Sequence, residues 1–167
     1  MKKRNLLWVL CSLIIFLVTV FALIPISPRL YAEDFSQPTE EIIIATMVNN
    51  VRNANKVENL CWNETLAQIA DVRAQDMINR CYFSHYTPEG TTVFALMKSF
   101  GIYKKYRGEN LARGRPASCA TPEGIINAWM QSESHRNNIL RKAYSKIGVG
   151  IEVRDKEEKI IVLVFTN

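Results

Sequence analysis

The end of the chain constrains its fold most. From Ile160 to Phe165 the sequence is apolar without a break. A run this short and this continuous fits a strand covered on both faces. Before it, Ile147, Val149, Ile151 and Val153 alternate with other residues as far as Arg154, and a charged turn, Asp155 to Lys159, separates the two segments. Together they read as a β-hairpin with a buried second strand. Helical patterns come earlier, so the fold class is α+β, with helices packed on a small sheet.

Those helices have recognisable starts. Thr39 precedes Glu40 and Glu41, acids suited to a helix N-terminus, and Ile44, Met47, Val48 and Val51 follow helical spacing until Asn53, Asn55 and Lys56 end it. Asn63 caps a second helix whose stripe is Leu66, Ile69, Ala70, Ala74 and Met77, running to about Arg80. A third fits Thr92 to Phe100 and closes at Gly101. Arg107 to Arg113 reads as an extended strand. Thr121-Pro122-Glu123 opens another helix, with Ile125, Ile126, Trp129 and Met130 inward, and Ser134 is placed to cap a further short turn.

The other end of the chain is organised differently. Lys2, Lys3 and Arg4 precede an uncharged apolar run from Leu6 to Ile24. A charged start followed by such a run is an export segment. Its length is close to the ~20 residues that span a bilayer, which suits an uncleaved anchor. Leu30-Tyr31-Ala32 also suits a cleavage site. Both readings place the rest of the chain outside the cytoplasm. We therefore expect a signal or signal anchor over residues 1–32, a linker over 33–40 and one domain over 41–167.

The formal charge of +5 belongs mostly to the export segment. Residues 1–32 hold four of the 21 basic residues and none of the 16 acids, so 17 bases face 16 acids in the remainder. A nucleic-acid partner, which would need a basic stripe on the domain, is not expected. Cys61, Cys81 and Cys119 lie in the exported part, where a disulfide is permitted. A helix of about 18 residues between Cys61 and Cys81 would hold them roughly 27 Å apart, beyond the ~7 Å that a bridge allows. Any internal bridge would use Cys119, and three unpaired thiols are equally consistent with the spacing.

The chain has two histidines, each in a polar segment beside turn residues. His85 lies in Tyr82-Phe83-Ser84-His85-Tyr86, and His135 in Ser132-Glu133-Ser134-His135-Arg136-Asn137-Asn138. Between them is Gly108-Glu109-Asn110-Leu111-Ala112. Two imidazoles and a carboxylate on separate elements suit a metal site or an acid–base site. They also suit a polar network tying helices to a sheet. Ser84, Ser132 and Ser134 read as helix and turn caps, since no nucleophile-elbow context surrounds them. Cys81 lies four residues before His85, a spacing that a cysteine–histidine pair would use only if the thiol reached the cleft. Asn110 is placed to fix a loop, and Arg136 to pair with Glu109 or Glu133. Tyr82, Phe83, Tyr86 and Phe94 flank the first histidine as groove or core.

From about residue 41 onward the sequence resembles the CAP superfamily (cysteine-rich secretory proteins, antigen 5 and pathogenesis-related 1), specifically its bacterial SCP-like extracellular type. The resemblance is carried by segments in a fixed order: Val48-Asn49-Asn50-Val51-Arg52; Leu60-Cys61-Trp62-Asn63-Glu64-Thr65-Leu66; Tyr82-Phe83-Ser84-His85; Gly108-Glu109-Asn110-Leu111-Ala112; Ala128-Trp129-Met130 leading to Ser134-His135-Arg136-Asn137-Asn138-Ile139-Leu140; and Ile147-Gly148-Val149-Gly150.

It implies a three-layer α-β-α sandwich, with a small antiparallel sheet and its C-terminal hairpin between helical layers. It also implies a cleft formed by His85, Glu109 and His135, a set that in some members binds a divalent metal, often zinc. Eukaryotic members carry a second acid in the register held here by Ser132, with Glu133 one step on. The implied function is an extracytoplasmic binding module for a divalent cation, a small polar ligand or a lipid head group, with a cell-envelope component as partner. One alternative is a metal-dependent hydrolase, such as a peptidase, with Glu109 as general base. Another is an envelope adhesion protein with a vestigial site. The binding reading is preferred because the HExxH helix, the GxSxG turn and paired carboxylates are all absent.

Overall fold

The computed structural model describes residues 37–167. The expected export segment, with its apolar run over 6–24, and the first part of the expected linker lie outside the described residues. No described helix is long and apolar enough to cross a membrane.

Helix α1 (Glu40–Ala54) starts after Thr39, whose backbone is extended and whose side chain makes no capping bond. Its Glu40 is instead held by Lys159 Nζ at 2.8 Å. A two-residue strand, β1 (Cys61–Trp62), leads into α2 (Glu64–Asn79). Asn63 caps α2 as expected, accepting from the Leu66 amide at 3.0 Å. Helix α3 (Val93–Ser99) ends with Gly101 at φ +77°, the left-handed stop the sequence suggests.

Strand β2 (Arg107–Gly114) is followed by a 3₁₀ turn (Ala117–Cys119) and by α4 (Pro122–Gln131). Thr121 caps α4 by accepting from the Gly124 amide at 3.2 Å. Helix α5 (Glu133–Ile139) and the hairpin β3 (Lys146–Arg154) and β4 (Glu158–Thr166) complete the domain.

The strand order is β1-β3-β4-β2. Both long pairings, β3 with β4 and β2 with β4, are antiparallel, and the short β1 adds a parallel edge beside β3. A two-residue strand is too short for periodicity to reveal, so β1 was not legible in the sequence.

Strand β4 is the centre of the molecule. Its residues alternate between layers, as the period of two requires. Ile161, Leu163 and Phe165 pack with Ile44 and Val48 of α1 and with Ile125, Ile126 and Trp129 of α4. Ile160, Val162 and Val164 pack with Leu66, Ile69, Ala70 and Met77 of α2 and with Val93 and Met97 of α3. An unbroken apolar run is what a strand buried on both faces needs, and the result is the α-β-α sandwich of an α+β fold.

The Ile147-Gly148-Val149-Gly150 segment has a packing reason. Ile147 and Val149 point to the α1 side, while the glycines lie under α2. A Cβ at Gly148 would collide with the backbone of Leu66 and Ala67, and one at Gly150 with that of Ala70 and Asp71. Glycine at both positions lets α2 rest directly on β3.

The corner between α4 and α5 differs from the sequence reading. Ser132, not Ser134, is the turning residue, with φ −90° and ψ 122°. A single extended residue ends one helix and starts the next, so Ser134 falls inside α5 and His135 is helical. The three described thiols, Cys61, Cys81 and Cys119, are exposed and unpaired.

Candidate functional site

Strand β2 sends adjacent residues to opposite faces of the sheet. Glu109 faces α2, and Asn110 faces α5. Each organises one histidine.

On the first face, Glu109 is almost fully buried. Its Oε2 meets His85 Nδ1 at 2.6 Å and its Oε1 meets Arg73 Nε at 3.2 Å. Both carboxylate oxygens are thereby engaged. Arg73 also donates to Tyr82 Oη at 2.7 Å and to the Ser84 carbonyl at 2.9 Å. Tyr82 in turn donates to Asp76. Burial, reinforced by that bond, pushes the Tyr82 phenol up to about 12. A network from Asp76 through Tyr82 and Arg73 to Glu109 thus fixes His85, whose own side chain remains 51% exposed.

Sequence reasoning missed Arg73. Its signal was present: Arg73 stands four residues after Ile69 and three after Ala70, on the apolar stripe of α2. A lone arginine on such a stripe must find a buried partner.

On the second face, Asn110 Nδ2 donates to the His135 carbonyl at 3.1 Å, and its Oδ1 accepts from Asn138 Nδ2 at 2.9 Å. Asn138 Nδ2 also reaches the Glu109 carbonyl at 3.1 Å. The Glu-Asn pair therefore grips α5 through His135 and Asn138, three residues apart on one helix face. The C-terminal end of α5 is held by Arg52, fully buried, whose Nη1 donates to the Ile139 carbonyl at 2.6 Å. That bond accounts for Arg52 in the Val48–Arg52 segment. Asn49 in the same segment brackets Leu60, donating to its carbonyl at 3.0 Å and accepting from its amide at 2.8 Å.

His135 is half-buried, and its Nδ1 lies 2.8 Å from Ser132 Oγ. Burial lowers the His135 pKa, and the charge of His85 lowers it further. The two imidazoles border different cavities. His85 lines one of about 320 Å³ with Phe94, Arg107 and Arg141. His135 lines one of about 430 Å³ with Phe83, Ile125 and Trp129. Trp129 Nε1 donates to the Leu111 carbonyl at 3.0 Å, which ties α4 to β2 beside the second cavity.

Arg136 does not pair with Glu109 or Glu133. It donates to the Met130 carbonyl at 2.9 Å, because α5 turns it back towards the end of α4. Glu133 is exposed in the first turn of α5. Of the flanking aromatics, Tyr86 and Phe94 line the His85 cavity, Phe83 lines the His135 cavity and Tyr82 belongs to the arginine network.

Among the described residues, no three His, Cys, Asp or Glu side chains stand together as a complete metal cage. The two histidines nonetheless suit a cation. Each has its Nδ1 within hydrogen-bond distance of an oxygen, and where Nδ1 carries the ring proton Nε2 is free to ligate.

Comparison with known proteins agrees with this architecture. The protein YkwD of Bacillus subtilis (strain 168) is 41% identical over 107 residues, 64% of this chain and 40% of its own length. The chain therefore spans less than half of that relative. An extracellular protein containing a SCP domain from Bacillus anthracis is 26% identical, with a TM-score of 0.65 over 77% of this chain and 40% of that one. NaASP2, solved with Zn2+, shares the fold at a TM-score of 0.54 and 13% identity, over 79% of this chain and 82% of that one. The model of the cysteine-rich secretory protein family, CAP, matches residues 45–166, and the chain belongs to that family.

Proposed function

We propose that the chain is an extracytoplasmic binding module whose His85 and His135 imidazoles together take a divalent cation, zinc being the best suited. The observation that carries this is the paired Nδ1 anchoring, by Glu109 Oε2 at 2.6 Å and Ser132 Oγ at 2.8 Å. A ligand imidazole is normally oriented by an oxygen on its other nitrogen. The lowered His135 pKa supports the same reading, since a cation needs the neutral ring.

Glu109 has its oxygens engaged by Arg73 and His85. This supports an orienting role behind His85 over the roles of direct ligand or general base. When bound, the ion would supply open positions for water or for a ligand's polar atoms. The solved NaASP2 structure with Zn2+ and the extracellular Bacillus anthracis protein point the same way.

The test is calorimetric titration of zinc into the metal-free full chain. Binding in the wild type, lost in both His85→Ala and His135→Ala, is the expected result. Equal binding in the two variants and the wild type would assign the heat to other groups, such as the exposed thiols, and would end this reading.

A further inference from the structure

The arginines of this domain are nearly all engaged. Arg73, Arg80, Arg113, Arg115 and Arg154 each have a carboxylate partner. Arg52 and Arg136 are spent on backbone carbonyls. Arg107 and Arg141 are different. Among the described residues, neither side chain has a carboxylate or a carbonyl partner, and both line the His85 cavity of about 320 Å³.

Aromatic rings hold these two side chains instead. The Arg107 guanidinium lies over Phe94, 5.2 Å from the ring centre. The Arg141 guanidinium lies 5.3 Å from the centre of Tyr106 and 5.4 Å from that of Tyr144. Tyr144 is itself fixed, stacked on Phe165 at 5.3 Å and donating to the Arg107 carbonyl at 2.9 Å. Stacking positions a guanidinium and leaves edge N–H donors that here meet no acid. Gly108 forms part of the wall, and a Cβ there would collide with the Tyr144 hydroxyl.

The charge balance of this cavity is positive. Its one lining carboxylate, Glu109, is already paired with Arg73. Burial raises the Tyr144 phenol, so it brings no negative charge.

We propose that Arg107 and Arg141 form an anion subsite beside His85, and that the ligand of this cleft carries a terminal phosphate. A single guanidinium can satisfy a carboxylate with two parallel bonds. Two guanidiniums on separate aromatic platforms supply more donors than that, and a phosphomonoester has three terminal oxygens to accept them. The subsite names the ligand class for the binding cleft proposed above and rests on that reading for its role, but its binding can be measured without metal.

The test is titration of inorganic phosphate into the full chain after removal of metal by chelation. Phosphate is expected to bind the wild type. Binding should weaken about tenfold or more in Arg107→Met and in Arg141→Met, as loss of one or two charge-assisted bonds implies. Lys156→Met, at the hairpin turn on the opposite end of the sheet, should bind as the wild type does. Arg107→Lys and Arg141→Lys keep the charge and the stem, and should weaken binding less than the methionine variants.

Glycerol phosphate and vesicles of phosphatidylcholine containing phosphatidic acid then distinguish a soluble phosphomonoester from a lipid head group, and arginine-dependent binding of either supports the subsite. Absence of phosphate binding, binding indifferent to both arginines, or acetate binding as tightly as phosphate would overturn it. A failed zinc titration with intact phosphate binding would reject the metal site alone.

Discussion

Arg73 Nε and Glu109 Oε1 form an ion pair of 3.2 Å between α2 and β2, with each side chain 3% exposed. The pair lies directly behind His85 and joins a helical layer to the sheet. Its charges tolerate burial only because each has the other and further hydrogen bonds besides.

Breaking that pair from one side should be costly. Glu109→Ala is expected to reduce unfolding free energy by about 3–5 kcal/mol, because it strands a buried guanidinium. The double change Arg73→Met with Glu109→Leu should recover most of the loss. Urea denaturation of the single and double variants measures both. Costs below about 1 kcal/mol in the single variants would mean that the pair behaves as a solvated one.

The lowered His135 pKa gives a pH dependence of definite sign. The unfolded imidazole titrates near about 6.5, and the folded one at a lower value. Between the two, the unfolded chain holds more protons. The contribution is therefore full above about 6.5 and is lost as pH falls through the depressed folded value. Unfolding midpoints measured from about pH 8 to about pH 5 should drop more steeply for the wild type than for His135→Gln. Parallel curves would show that His135 is not held neutral by the fold.

Ser132→Ala leaves both histidines in place but removes the hydroxyl 2.8 Å from His135 Nδ1. Loss of such an orienting group typically weakens a metal site about 10–100-fold. Zinc titrations of wild type and variant side by side would show it. An unchanged affinity would exclude Ser132 as the group that orients the ring.

Gly148→Ala tests the direct contact of α2 on β3. The added methyl must displace the backbone of Leu66 or Ala67, which no side-chain rotation relieves. Overpacking of this kind costs about 1–3 kcal/mol. Thermal unfolding of the variant should show a lower midpoint with the same two-state shape. A midpoint equal to that of the wild type would mean that α2 stands off the sheet.

Local order was legible in the sequence because local physics sets it. The Asn63 and Thr121 caps, the Gly101 stop, the alternation from Ile147 to Val153 and the apolar run of β4 each concern neighbours within a turn or a strand. They fix which segments are helix or strand, and they fix that β4 is covered on both sides. The order of motifs around His85, Glu109 and His135 pointed to the family.

Tertiary structure decided what those residues touch. Glu109 and Asn110 are adjacent in sequence and serve opposite faces, and only the register of β2 on β4, Glu109 beside Val164, says which face is which. Arg73, a charge on the apolar stripe of α2, meets Glu109 where α2 lies against the sheet over two glycines. Arg136, expected at an acid, was turned away by the bend at Ser132. Periodicity determines the side of an element on which a residue lies. The partner it meets there depends on how distant segments pack, and that is a property of the whole fold.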